Sequence, residues 1–165
     1  MAKRITTAGL LIALAMILSY LELLIPFNFG IPGVKLGLAN LVVVSALYLF
    51  GARQAFAISI VRILLVSVTF GNMAALLYSI AGGLLSYLVM LLISRIKGFS
   101  IIGTSVAGGV SHNIGQLVVA ILVIENLNMA LYIPVLVIAG TLTGLLIGIA
   151  AKFVVPAVKA ALNER

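Results

Sequence analysis

Long apolar stretches separated by short polar segments constrain the fold of this 165-residue sequence more than any other feature. Hydrophobic residues make up 64% of the chain and charged residues only 8%, whereas a soluble domain has about 25% charged residues. Thirteen formal charges, ten basic and three acidic, cannot cover the surface of a soluble protein of this size. The sequence therefore predicts an all-α integral membrane protein with a single transmembrane domain over 1–165, and it excludes soluble enzymes and nucleic-acid-binding domains.

Glycine, proline and charged residues divide the apolar sequence into six predicted spans. The predicted spans are 5–25, 36–50, 55–70, 73–94, 104–124 and 130–154, of which the second and third are short. With the N-terminus inside, Lys35 alone lies outside and Arg62 falls within a span. The other eight basic residues are then cytoplasmic: Lys3, Arg4, Arg53, Arg95, Lys97, Lys152, Lys159 and Arg165. This asymmetry predicts a multi-pass protein of the cell membrane, in contact with membrane lipid and with both termini cytoplasmic.

The acidic residues limit the chemistry that the chain can perform. They are Glu22, Glu125 and Glu164, and the sequence contains no Asp and no Cys. Magnesium-dependent diphosphate chemistry needs clustered carboxylates, and nucleotide hydrolysis needs a phosphate-binding GxxxxGK[ST] loop, which is missing. We therefore expect no catalytic residue, no metal site and no cofactor, and any ATP-driven transport must use an ATPase on another chain.

Arg62 is the first candidate for a functional residue. An Arg near the middle of the bilayer costs at least about 2.5–3.5 kcal/mol on insertion scales, so it needs a partner, a water-filled cavity or a ligand. Ser59 and Thr69 share its helical face and make that face partly polar. The sequence leaves two roles open, namely binding of a ligand anion and structural pairing with Glu22 or with helix carbonyls.

The fifth predicted span carries an unusually polar segment, 111–116, with the sequence SHNIGQ. His112 and Gln116 are i, i+4 neighbours, and Asn113 lies between them in sequence. A face that is both polar and small suits either a ligand-lined wall or hydrogen bonds between helices. A nucleophilic enzyme centred on His112 would need an orienting carboxylate, which makes catalysis a poor hypothesis.

Further candidates lie near the predicted outer surface. Lys35 and Asn40 close a loop rich in Pro, Gly and Phe, where Lys35 is either a ligand contact or an anchor in the outer leaflet. Asn72 and Tyr78 at the outer start of the fourth span are weaker candidates for substrate binding.

Small residues on the first span point to a protein contact instead. Gly9 and Ala13 have small-xxx-small spacing, which allows another helix to approach closely. We expect them to dock a partner, together with the basic residues Arg53 and Arg95 at the cytoplasmic side.

Four segments carry a resemblance to a known family: PGVKLGLAN at 32–40, FGN at 70–72, GGLLS at 82–86 and SHNIGQ at 111–116. With these motifs the chain resembles the Gx transporter family, which is also labelled heptaprenyl diphosphate synthase component I. That family is similar to the substrate-binding S components of energy-coupling factor (ECF) transporters. The resemblance implies a six-helix protein that binds a micronutrient from outside and associates with a transmembrane coupling subunit and two cytoplasmic ATPases.

The two family labels imply different functions. A catalytic prenyltransferase needs Asp-rich magnesium sites, so the synthase label is compatible only with an accessory role. Our leading hypothesis is an S component whose ligand, small, anionic and partly apolar, is held by Arg62, His112, Gln116, Asn40 and Lys35. The alternatives are a non-catalytic membrane subunit of polyprenyl diphosphate synthesis and a stand-alone secondary transporter.

Overall fold

The computed structural model describes residues 2–24 and 37–163, and within these ranges the chain consists of helices joined by short turns, without strands. The α-helices are α1 (Ala2–Leu24), α2 (Asn40–Phe50), α3 (Ala52–Phe70), α4 (Met73–Ile93), α5 (Ile101–Ile124) and α6 (Ile133–Asn163). A short 3-10 helix, Leu127–Tyr132, links α5 to α6. The predicted all-α class is therefore confirmed.

Five of the six helices, all except α2, are long and apolar enough to cross a bilayer. The second predicted span, 36–50, differs from the prediction because its helix begins only at Asn40 and has 11 residues. At 1.5 Å per residue α2 is about 16 Å long, roughly half of a 30 Å hydrocarbon core. Its late start has a local cause: Gly37 adopts a φ of 81°, which is incompatible with a right-handed helix.

The short helix α2 lies at the centre of the bundle and contacts all five other α-helices. Seven of its eleven residues are buried, including Asn40 and the consecutive run from Val42 to Leu47. A helix that is apolar on every side is stable only when neighbours surround it. The position of α2 therefore carries its first residue, Asn40, into the interior of the bundle.

Glycines bring α4, α5 and α6 into close contact. On α6 the GxxxGxxxG series of Gly140, Gly144 and Gly148 faces α5, and a Cβ added to Gly144 would lie 2.7 Å from the Val106 Cα. Between α4 and α5, a Cβ on Gly115 would lie 2.8 Å from the Ala81 carbonyl oxygen. This backbone-to-backbone packing fixes the polar face of α5 directly against α4.

Candidate functional site

Arg62 is buried within the bundle and is the centre of a polar cluster that joins three helices. Its side chain on α3 is only 6% exposed, and Nη2 donates a hydrogen bond of 3.1 Å to Asn40 Oδ1 on α2. Asn40 Nδ2 donates in turn to Ser86 Oγ on α4 at 3.4 Å. The predicted site residues Arg62 and Asn40 are therefore in direct contact, through a bridging role of Asn40 that the sequence did not indicate.

The turn before α2 positions Asn40. The N–H groups of residues 40, 41 and 42 bond to the carbonyl oxygens of residues 37, 38 and 39, which satisfies the first donors of the helix. Gly37 packs so tightly that an added Cβ would lie 3.1 Å from His112 Cδ2. The turn thus brings the start of α2 against α5 as well as against α3.

His112 and Gln116 form the wall on α5. Both side chains are buried, and their Nε2 atoms lie 3.0 Å apart in a hydrogen bond. Gly82 of α4 makes room for them, since a Cβ there would lie 2.8 Å from Gln116 Cγ. As predicted, the two residues share one face of the helix, and that face adjoins Arg62.

A small cavity of about 20 Å³ lies between these groups. Its lining residues are Ser19, Glu22, Gly37, Arg62, Ile63, Val66, Ser79, His112 and Gln116. Such a volume holds about one water molecule, whereas pockets for small organic ligands are typically 300–1,000 Å³. The described arrangement therefore brings the binding groups together without room for an organic ligand.

Glu22 is the one ionisable residue of the described cavity lining that was not predicted to be a ligand contact. Its carboxylate is buried, and Oε1 accepts a hydrogen bond of 2.5 Å from the Gly37 N–H. Its sequence position indicates a functional role, because an isolated acidic residue within an apolar span is costly to bury.

Three other predicted contacts have different surroundings. Asn113 donates from Nδ2 to the Leu136 carbonyl oxygen at 2.9 Å and so ties α5 to α6. Tyr78 is buried in an apolar cluster with residues such as Leu117, on the α4–α5–α6 side of the bundle. Asn72 is exposed and caps α4, with Oδ1 accepting from the N–H of the residue three positions on. None of these three lines the cavity beside Arg62, and Lys35 lies outside the described residues.

The residues predicted to dock a partner are on the surface. Gly9 and Ala13 are exposed on α1, and a Cβ added to Gly9 would meet no atom within 4 Å. Arg53 and Arg95 are exposed as well. A groove of about 440 Å³ lies next to this part of α1, between α1 and α3, with Gln54 as the one polar side chain in its described lining. These surfaces are available to lipid or to another helix.

The cavity is surrounded by a dense set of charged and hydrogen-bonding groups. One guanidinium, one imidazole, one carboxylate, one amide and two hydroxyls line a cavity of about 20 Å³ inside an apolar bundle. Low polarity strengthens each hydrogen bond and makes an unused donor or acceptor costly. A solute placed there would be recognised by directional polar contacts.

Comparison with known proteins identifies the family. The family described as heptaprenyl diphosphate synthase component I matches residues 11–154, which is most of the chain. No curated protein and no solved structure matches significantly. The resemblance inferred from the sequence motifs is therefore confirmed, and the chain belongs to the heptaprenyl diphosphate synthase component I family.

Proposed function

We propose that this membrane protein is the solute-binding S component of an ECF-type importer, which captures a small, anionic, partly apolar micronutrient or precursor from outside. The observation that carries the proposal is a hydrogen-bond donor on the buried side chain of Arg62 that is unpaired within the described part of the chain. Its Nη2 bonds to Asn40, but its buried Nε has no hydrogen-bond partner among the described residues. Buried polar atoms in native proteins are nearly always paired, so an unused donor on a buried cation is well suited to a ligand acceptor.

Binding requires the helices around the cavity to separate, because its volume of about 20 Å³ is far below that of a micronutrient. Within the described bundle, α1 contacts α2 and α3 and makes few contacts elsewhere. It contributes Ser19 and Glu22 to the cavity lining. We propose that displacement of α1 opens the site, while the glycine-packed α4, α5 and α6 remain fixed.

The proposed topology has six crossings with both termini in the cytoplasm. In this topology the short α2 leads towards the cytoplasmic side, and Arg53 at the start of α3 is cytoplasmic. Energy comes from a transmembrane coupling subunit and two cytoplasmic ATPases, because the chain has no phosphate-binding loop. Gly9 and Ala13 on the open face of α1 form the proposed contact with the coupling subunit.

The family description is also compatible with a second candidate, a non-catalytic membrane subunit of polyprenyl diphosphate synthesis. In that role the chain would bind a soluble prenyltransferase instead of a coupling subunit and ATPases. The aspartates that hold magnesium would belong to that partner, since this chain has no Asp.

The solute itself provides the test. The tagged full-length protein is purified from its native membranes, washed and denatured, and the released small molecules are identified by mass spectrometry. We expect an anionic compound in stoichiometric amount from the wild type and from Lys152→Met, a control that removes an exposed cation, but not from folded Arg62→Met. The same compound released in equal amount from Arg62→Met would refute the proposed site.

A further inference from the structure

Glu22 is an unexpected component of a site that is proposed to bind an anion. The whole sequence contains only three acidic residues, and Glu125 is exposed at the end of α5. Glu22, in contrast, is 8% exposed and lines the same cavity as Arg62. In a bundle this apolar, a buried carboxylate is costly unless it faces an opposite charge.

The contacts of Glu22 hold its carboxylate at the cavity. Oε1 accepts the N–H of Gly37, in the turn that leads to Asn40 and hence to the partner of Arg62. The titratable groups that line the cavity with Glu22 are Arg62 from α3 and His112 from α5. Glu22 and Arg62 attract each other electrostatically, so the carboxylate stabilises the buried guanidinium charge.

We propose that Glu22 is the built-in counter-anion of Arg62 and a specificity-determining residue of the site. In the protein without solute, Glu22 supplies the negative charge that the anionic group of a bound solute supplies later. Binding then replaces the Glu22 carboxylate beside Arg62 with the carboxylate or phosphate of the solute. Simple small anions cannot displace the Glu22 carboxylate, because it is covalently attached to the chain. The inference rests on the proposed function only in taking this cavity as the solute site.

A purely structural role for Glu22 would have a different basis. In that case the side chain would fill space and accept the Gly37 N–H, and any neutral group of the same shape with a carbonyl oxygen would serve as well. Formate and formamide distinguish the two roles, because they have nearly the same size and both accept hydrogen bonds, but only formate is charged.

The test measures the thermal unfolding of the full-length protein in detergent, by circular dichroism, with sodium formate or with formamide at equal concentration. Glu22→Ala leaves a carboxylate-sized space opposite Arg62 and is expected to lower Tm. Formate should restore most of the lost Tm, and formamide little. In Glu22→Ala/Arg62→Met, which removes both charges, formate should have no effect beyond that on the wild type.

Glu22→Gln keeps an acceptor for the Gly37 N–H and provides a second measurement if the alanine variant does not fold. Because Glu22→Gln removes the charge but keeps the shape, it is expected to lower Tm in the wild-type background and to have little effect in the Arg62→Met background, whereas Glu125→Gln, the matched control at the exposed acid, should leave Tm unchanged. Equal rescue of Glu22→Ala by formamide, or an equal effect of Glu22→Gln with and without Arg62, would overturn the inference. Either result would leave the comparison of solute release between wild type and Arg62→Met unaffected, so the two proposals fail separately.

Discussion

Asn40→Ala tests the structural basis of the Arg62 site most sharply. The substitution removes the acceptor for Arg62 Nη2 at 3.1 Å and the donor to Ser86 Oγ at 3.4 Å. A hydrogen bond to a charged group contributes roughly 1.5–3 kcal/mol, and a long neutral one about 0.5 kcal/mol. We therefore expect Asn40→Ala to lower the free energy of unfolding by roughly 2–3.5 kcal/mol.

The assay is a double-mutant cycle on denaturant-induced unfolding of the purified protein in mixed micelles. Asn40→Ala and Arg62→Met are measured singly and together. Their coupling energy should be about 1.5–3 kcal/mol, because each substitution alone already removes the charged hydrogen bond between the two residues. Ser86→Ala serves as the control and should cost about 0.5 kcal/mol. A coupling energy near zero, or equal losses in Asn40→Ala and Ser86→Ala, would refute the assigned contact.

The remaining predictions concern the ligand wall and the helix surfaces. Arg62→Ala is expected to abolish binding of the solute recovered from the wild type. Arg62→Lys should restore little of that binding, because an ammonium cannot form a bidentate fork. Undiminished solute binding by folded Arg62→Ala would contradict this role. His112→Ala and Gln116→Ala should each weaken solute binding by about 1–3 kcal/mol in equilibrium titrations. Lower Tm at unchanged affinity would instead identify these two residues as hydrogen bonds between helices. Gly144→Leu should lower Tm, because the new leucine side chain would collide with the backbone of α5. Gly9→Leu should leave Tm unchanged, because the space around Gly9 is open. Equal Tm values for the two variants would count against the packing of α5 on α6. Gly9→Leu should nevertheless prevent co-purification of the coupling subunit while leaving solute binding intact, and retained co-purification would exclude that docking surface.

The membrane class and five of the six helices follow from sequence because hydropathy and helix-breaking residues report on them directly. The length of α2 does not follow. The stretch 36–50 is apolar from end to end, and hydropathy cannot detect that the left-handed backbone of Gly37 delays the helix until Asn40. The close packing of α6 on α5 was not among the predictions, although the GxxxGxxxG spacing of the α6 glycines is typical of it.

The candidate site was predictable where a polar residue interrupts an apolar helix. Arg62, His112 and Gln116 stand out for that reason, and helical phase places His112 and Gln116 on one face. The same phase separates Asn113, which follows His112 by about 100° around the helix and contacts α6 instead. Pairing of Arg62 with Glu22 was one of the two roles that the sequence left open. It could not be decided from sequence, because the position of Glu22 at the cavity depends on how α1 packs against α3.

The composition of the assembly in native membranes tests the proposed function most directly. The full-length chain, tagged at one terminus, is solubilised in mild detergent and purified, and the proteins bound to it are identified and quantified by mass spectrometry. An S component predicts a transmembrane coupling subunit and two ATPases in stoichiometric amounts, all lost from Gly9→Leu and retained by a control substitution at the exposed Lys152. A soluble prenyltransferase in their place would contradict the proposal and establish the accessory role, and purification of the chain without partners would favour a stand-alone transporter.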